Sequence, residues 1–447
     1  MSGLRFAMVT TFYPPYHFGG DAVFIRRLAH ALVRRGHSVD VIHDVDAFEL
    51  LYEGDPPAPI EEPEGLTVHS LRSRFGKLSC LLTQQTGRPI MHGATIRRIL
   101  ESGDFDVIHY HNVSLVGGPG VLGYGDAIKL YMAHEHWLVC PSHVLWRHGR
   151  EVCTGRECLR CTLRHKRPPQ LWRHTGLLER KARHLDALIS PSAFSAGKHK
   201  EFGFDRDFDV IPYFLPEEDA GAPPPGEASP WPRPYFVFVG RLEKIKGLQD
   251  VIPLFGDDAP ADLLVVGSGD YERELRALAE GRSRVHFLGR KPAEAIGPLY
   301  RHSIAAIVPS ICYETFGIVL IEAFKQGTPV IARDLGPFGE IVEKSGGGLL
   351  FRDQLELADA IDRMAKEPGL GERLGRSGQR RVEDLWLEDA VMPDYFDLIR
   401  RVAEQRDERH VLEILDTLDP LGATEQRKSN DMQNDTPREL GTSEVAS

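Results

Sequence analysis

No stretch of this chain approaches the ~18 uninterrupted apolar residues of a membrane-spanning helix. The start, MSGLRFAMVTTFYPPYHFGG, has one basic residue, a very short apolar run and no small-residue cleavage site, so no secretory signal is read there and a cytoplasmic protein is expected. The 43 glycines and 31 prolines follow no period, which excludes collagen-like and low-complexity architectures for the bulk of the chain. Net positive charge is missing as well: 54 Lys+Arg stand against 65 Asp+Glu, and the balance of −11 argues against nucleic acid as a partner. Cysteines number only six.

What is present is a chain of 447 residues, enough for two to four domains at ~100–200 residues each. Short apolar runs alternate with helical patterns. Leu4–Thr10 reads as a strand, Pro14–Gly20 as a glycine-bearing loop and AVFIRRLAHALVRRG as the helix that follows. HSVDVIHD, DFDVIHYHN (104–112), KLYMAHEHW (129–137), DALISPS (186–192) and FDVIPYF (208–214) read as further strands. Strand–helix alternation predicts βαβ units and a parallel sheet. The Pro-, Gly- and acid-rich segment 216–234 reads as a linker. A second alternation starts at YFVFVGR (235–241), with GLQDVIPLFG and YERELRALAEG read as helices and ADLLVVGSG, VHFLGR, IAAIVPS, TPVIAR and GGLLF as strands. The expected organisation is an α/β chain of two Rossmann-like doubly wound domains facing a central cleft: 1–215, then 235–388. A helical segment at 389–415 packs back on the first domain, and a polar, aromatic-free tail at 416–447 is disordered.

The richest segment is PSICYETFGIVLIEAFKQGTPVIA (309–332). Glu314 and Glu322 are separated by seven residues. Phe316, Gly317, Ile318 and Val319 fall at a strand-to-helix turn, where backbone N–H groups point out of the helix and form an anion site. Gly317 lets the backbone approach a diphosphate closely. A carboxylate at 322 can accept two hydrogen bonds from a vicinal diol such as a ribose. A capped amphipathic helix with two solvated glutamates is the plainer reading.

This segment resembles the E-x7-E signature of glycosyltransferase family 4, the retaining nucleotide-sugar glycosyltransferases of the GT-B fold. FGGDAVFIRRLAHALVRRGHSVDVI, VGRLEKIKGLQDVI, VVGSGDYERELRAL, VHFLGR and LGPFGEIVEKSGGGLLF resemble the family's other blocks in the family's order, over roughly residues 5–400. The resemblance implies retaining transfer of a sugar from a UDP- or GDP-sugar to a glycan or lipid-linked acceptor, in cell-surface polysaccharide or glycolipid synthesis. It implies that Arg241 and Lys246 hold the donor diphosphate, that Gly19 and Gly20 form the loop closing over it, and that Glu322 binds the ribose. Glu314 would contact the transferred sugar and Arg290 the base. His134, in Ala133-His134-Glu135 where the family has Thr-His-Asp, would hydrogen-bond the donor sugar. His111, in IHYHN, is expected to line the acceptor side. No Asp-x-Asp motif is read as holding a metal on the donor, and no catalytic metal is expected. An epimerase or phosphorylase on the same fold, or a nonenzymatic scaffold, are the competing readings.

One insertion, 137–175, does not belong to that core. Cys140-x12-Cys153-x4-Cys158-x2-Cys161 supplies four thiols with the spacing of a closed structural zinc site. Four metal-free cysteines, or an iron–sulfur cluster, fit the same spacing. From Arg147 to Arg183 eleven Lys/Arg face three Asp/Glu, with Trp137, Trp146 and Trp172 nearby. Such a basic, aromatic loop suits peripheral contact with the inner face of a membrane or a lipid pyrophosphate. A solvated positive loop is the bland alternative.

Overall fold

The structure, a computed structural model, describes residues 3–52, 54–217 and 227–418. Fifteen strands occur among them: β1 Arg5–Val9, β2 Ser38–Asp44, β3 Leu66–Leu71, β4 Val107–Tyr110, β5 Ile128–Met132, β6 Trp146–Arg147, β7 Glu151–Val152, β8 Ala187–Ser190, β9 Asp209–Val210, β10 Tyr235–Val239, β11 Asp262–Val266, β12 Val285–Gly289, β13 Ala306–Val308, β14 Val330–Arg333 and β15 Gly348–Phe351. They form one sheet ordered β3-β2-β1-β4-β5-β8-β9, a second ordered β12-β11-β10-β13-β14-β15, and a two-stranded hairpin, β6-β7. The pairs within both large sheets are parallel. The apolar runs explain this: β4, β5, β8 and β11 are buried at every position, as strands covered on both faces by helices must be. Each sheet reverses its winding once, at β1/β4 and at β10/β13. Ligands of open α/β sheets bind beyond the carboxyl ends of the strands at those two points.

The helix Gly20–Arg34 buries Ala22, Phe24, Ile25, Leu28, Ala29, Ala31 and Leu32 against the first sheet. The helix Glu388–Arg406 returns to the same sheet. Its Tyr395 hydroxyl is hydrogen-bonded to His109 Nδ1 at 3.0 Å, and the buried Glu388 is ion-paired with Arg34 and Arg35. Leu215 and Leu387 bridge, so the chain's crossing and its return lie side by side.

Several expectations need correcting. GLQDVIPLFG is not a helix; residues 244–254 make three short 3₁₀ turns, because Gly247 sits at φ +76° and Pro253 cannot donate an N–H. FDVIPYF contributes only Asp209–Val210, and Pro212 lies just beyond that pairing. Residues 45–103, left unassigned above, hold β3 and the helices Val45–Leu51, Lys77–Thr86 and Gly93–Ser102. The last helix runs from Arg409 to Leu418, so residues 416–418 are helical; the rest of the expected tail, and 218–226 of the expected linker, lie outside the described residues.

Candidate active site

The two switch points face each other. The loop after β1 ends at Gly19 and Gly20, where the Gly20–Arg34 helix begins with no side-chain cap. The loop after β13 ends at Gly317, where the helix Ile318–Lys325 also begins uncapped. A Cβ on Gly20 would lie 3.7 Å from Ile318 Cγ2, so the two helix N-termini converge from opposite sheets. Each leaves backbone N–H groups without helical partners, and together they make a positive electrostatic well for an anion. Gly317 takes φ +150°, and a Cβ there would come within 2.8 Å of Phe338. Only glycine fits that turn without displacing the ring.

Charged side chains ring this point. Lys246 Nζ donates to Glu314 Oε1 at 2.6 Å, and Ser310 Oγ donates to the same oxygen at 2.9 Å. Burial works to raise the Glu314 carboxyl, but the Lys246 ammonium outweighs it and holds the carboxyl below its usual range. Burial likewise works to lower Lys246, and Glu314 outweighs it, keeping Lys246 charged. Gly247 lets this loop touch the next: a Cβ there would meet the Pro309 carbonyl oxygen at 1.9 Å. Arg241 is half exposed and paired with Glu243 at 2.7 Å. Arg290 is exposed at the end of β12, and its charge helps keep His17 of the opposite glycine loop neutral, after burial of that ring. Glu322 reaches across the cleft to Arg27 at 3.4 Å. Phe316 is buried and packs on Tyr213, 5.3 Å between ring centroids.

The histidines sit differently from expectation. His134 Nε2 is hydrogen-bonded to His111 Nδ1 at 2.9 Å, and its Nδ1 to the Tyr213 hydroxyl at 2.6 Å. Both ring nitrogens are therefore taken inside the first domain. Burial pushes His134 down to about 4, so the ring is neutral near pH 7. The Thr315 hydroxyl donates to the His134 carbonyl at 2.9 Å, which ties this turn to the Glu314 loop. His111 does not line an acceptor surface: it has no exposed surface, its ring lies 4.0 Å from that of His109 at a tilt of 37°, and its Nδ1 holds His134. The reason is that His111 directly follows β4, beside His109, which Tyr395 of the returning helix caps.

Residues missed from the sequence complete the frame. Ser192 Oγ donates to the Thr315 carbonyl at 2.7 Å, and the Glu340 carboxylate accepts the N–H groups of Ala193 and Phe194 at 3.2 and 2.5 Å. Arg27 and Tyr213 carried no sequence signal beyond their positions on an amphipathic helix and after a short strand. Another missed group had a signal: Asp44-Val45-Asp46 has the Asp-x-Asp spacing passed over above. Asp44, Asp46 and His92 are buried together, with one possible ligand atom from each within 4.8 Å of the others. They lie in the first domain, at the end of β2 and the start of the helices that begin at Val45 and Gly93. Asp44 is raised to about 7 by burial and then by Asp46.

The insertion also departs from expectation. Trp137, Trp146 and Trp172 are buried and cannot meet a membrane; the exposed apolar side chains there are Leu159, Leu163 and Leu171. Cys140, Cys153, Cys158 and Cys161 line one cavity. Among the described residues, however, no three of their sulfurs lie within 4.8 Å of one another. No described helix is long and apolar enough to cross a membrane.

Comparison with known proteins places this geometry. The model of glycosyltransferase family 4 matches residues 18–218, and that of the group 1 glycosyl transferases matches residues 225–381. A D-inositol 3-phosphate glycosyltransferase of Nocardia farcinica is 33% identical over 401 residues, covering 81% of this chain and 80% of that protein. A phosphatidyl-myo-inositol mannosyltransferase of Mycobacterium leprae is 26% identical, over 82% and 90% of the two chains. Among solved structures, the sucrose-phosphate synthase of Thermosynechococcus elongatus superposes with a TM-score of 0.68 at 21% identity, over 90% of this chain and all of that one. An Anabaena protein solved with UDP and glucose superposes with a TM-score of 0.58 at 18% identity, over 91% and 99%.

Proposed function

This chain belongs to glycosyltransferase family 4 and has the GT-B fold, and from that premise we propose that it moves a sugar from a nucleoside diphosphate to a hydroxyl of a glycan or lipid-linked acceptor, with retention of anomeric configuration. It is a hexosyltransferase-type enzyme. The observation that carries the donor reading is the convergence of the Gly20 and Ile318 helix N-termini beside Lys246 and Arg241. As the glycosidic bond breaks, the leaving diphosphate gains negative charge. Two sets of fixed N–H groups and two cations stabilise that charge where it develops. Glu322, one turn inside the Ile318 helix, is placed for the ribose, and Arg290 for the base. Glu314, oriented by Lys246 and Ser310, faces the transferred sugar. The leaving phosphate then takes the proton of the acceptor hydroxyl on the same face. His134 keeps its turn in place through Tyr213, His111 and Thr315, and its ring nitrogens do not bind the sugar directly.

A lipid-linked acceptor at a membrane's inner face is the finer part of the proposal. Phe75, Leu78 and Leu81 are exposed on and beside the Lys77–Thr86 helix. That helix touches the turn bearing exposed Leu171, and Trp172 Nε1 donates to the Gln84 carbonyl at 2.9 Å. Arg164, Lys166 and Arg167 are exposed close by in sequence. Apolar side chains rimmed by cations suit an anionic bilayer surface.

The test is incubation with UDP-, GDP- and ADP-sugars and lipid-extract acceptors, scoring nucleoside diphosphate release and, by NMR, the anomer formed. One donor turned over with retention supports the reading. An inverted product, or a free epimerised sugar with no acceptor dependence, refutes it.

A further inference from the structure

We propose that Cys140, Cys153, Cys158 and Cys161 bind one zinc ion as a structural four-thiolate site, with the half-buried Arg173 as its counter-charge, and that this staple holds the turn bearing His134. The four thiols line a single cavity of about 20 Å³, room for one water-sized body. Cys158 and Cys161 stand three residues apart in the first turn of the Cys158–Arg164 helix and so share a face. The His148 backbone N–H already donates to Cys161 Sγ at 3.3 Å, a contact that favours thiolate.

The independent observation is Arg173. Its guanidinium carbon lies 4.7 Å over the Trp172 ring and 5.3 Å over the Trp137 ring. Its Nε donates to Gln170, while Nη2 is buried with no partner, and among the described residues no carboxylate comes within ion-pair distance of it. Glu135 acts on Arg173 only at longer range, with Oε2 hydrogen-bonded to His143 and Oε1 buried without a partner. A half-buried cation with no carboxylate in contact is under-compensated. Four thiolates around Zn²⁺ carry a net charge of −2, which supplies the missing anion.

The loop itself asks for a staple. Apart from the two-residue hairpin β6-β7 and one seven-residue helix it has little regular structure between Cys140 and Arg167, and its own apolar cluster is Cys140, Leu145 and Phe202. Of six described non-glycine residues at positive φ, four are here: His143, Leu145, His148 and Lys166. Small modules with so little core depend on metal or disulfide bonds. Ligand distances of about 2.3 Å set the sulfurs about 3.8 Å apart, so loading draws the loop inward from its present spacing.

That contraction bears on the active site. Cys140 N–H donates to the His136 carbonyl at 2.8 Å, His136 N–H to the His143 carbonyl at 2.9 Å, and His143 Nδ1 is hydrogen-bonded to Glu135 at 2.9 Å. Tyr313, next to Glu314, packs on the same cysteine cluster. The staple therefore borders both walls of the cleft and leaves no coordination position for substrate.

The experiment is elemental analysis of the full chain, followed by cobalt exchange. The expected result is one zinc ion per chain, replaced by cobalt with the intense visible bands of a tetrahedral thiolate site. Cys161→Ser should lose the metal or blue-shift those bands, while Cys80→Ser should leave both intact. Arg173→Gln should weaken zinc binding about 10-fold or more with the fold retained by circular dichroism, since outer partners of a metal site typically act at that scale. Protein free of metal with all four thiols reactive, an iron–sulfur spectrum, or Cys140–Cys161 disulfides found by mass spectrometry would each overturn the zinc site. Zinc affinity unchanged in Arg173→Gln would overturn the counter-charge. If the cysteine variants do not fold, the wild-type cobalt spectrum still decides. None of these readouts needs glycosyl transfer.

Discussion

The Lys246–Glu314 pair offers the sharpest quantitative test. The two side chains meet at 2.6 Å with 22% and 24% of their surface exposed. At an effective dielectric of about 20 the bare attraction is about 6 kcal/mol. Desolvation cancels most of it, and partial exposure screens more. A net coupling of about 2 kcal/mol is expected, between the exposed-pair range and the cost of orphaning a fully buried charge. The perturbations are Lys246→Met, Glu314→Gln and the double variant, followed by urea unfolding in a double-mutant cycle. The pH dependence has a definite sign. Glu314 is held below its unfolded carboxylate value, so its contribution is present above that value and is lost as pH falls through the lower folded one. Lys246 is raised, so its contribution is lost only as pH rises through the lysine range. The pair therefore stabilises across neutral pH. In Lys246→Met, burial of Glu314 is opposed only by the Ser310 hydrogen bond and the Arg241 charge, and the acid limb should move to higher pH. A coupling below about 0.5 kcal/mol would place the pair among solvated surface contacts and refute the reasoning.

Other outcomes follow from the same geometry. Gly317→Ala should cost about 1–3 kcal/mol of stability and weaken nucleoside diphosphate binding at least 10-fold, because a Cβ at φ +150° strains the turn and meets Phe338; calorimetry of the variant checks both. Glu322→Ala should weaken UDP or GDP about 10-fold or more while leaving inorganic pyrophosphate binding nearly unchanged, since the ribose is the group it serves. Equal losses for both ligands would reassign Glu322 to its ion pair with Arg27. Asp44, raised from 3.8 to about 7, destabilises the fold as pH climbs through that interval. Asp44→Asn should therefore gain stability relative to the wild type at pH 8, on the order of 2–4 kcal/mol, and show no gain at pH 4. A gain independent of pH would show that burial does not keep this carboxyl protonated.

The turn between Glu314 and Glu322 was legible because its pattern is local. Glu314, Gly317 and Glu322 lie within nine residues, and the turn that aligns them is written in Thr315-Phe316-Gly317. Strand order within each sheet was not written anywhere locally, yet alternating apolar runs with helices constrain it to parallel winding. What failed depended on long-range packing. His111 looks like a polar strand end in sequence. Only the fold shows it buried between His109, which Tyr395 of the returning helix caps, and His134. Trp137, Trp146 and Trp172 look like a membrane-facing set until the fold buries them, Trp137 and Trp172 in the first domain's core. GLQDVIPLFG has a helical composition, but Gly247 must pass against the Pro309 carbonyl, and that contact sets the backbone. Arg27 and Arg173 were indistinguishable from other arginines, because which of their nitrogens is buried, and whether it finds a partner, is a property of the fold alone.

Calorimetric titration of the wild type and Lys246→Ala with UDP, GDP and ADP tests the central claim most directly. If the converging helix N-termini and Lys246 form the diphosphate site, one nucleotide binds the wild type with a defined stoichiometry, and its affinity falls about 10- to 100-fold in the variant. Failure of all three to bind, or a nucleotide bound equally well by the two proteins, would contradict it.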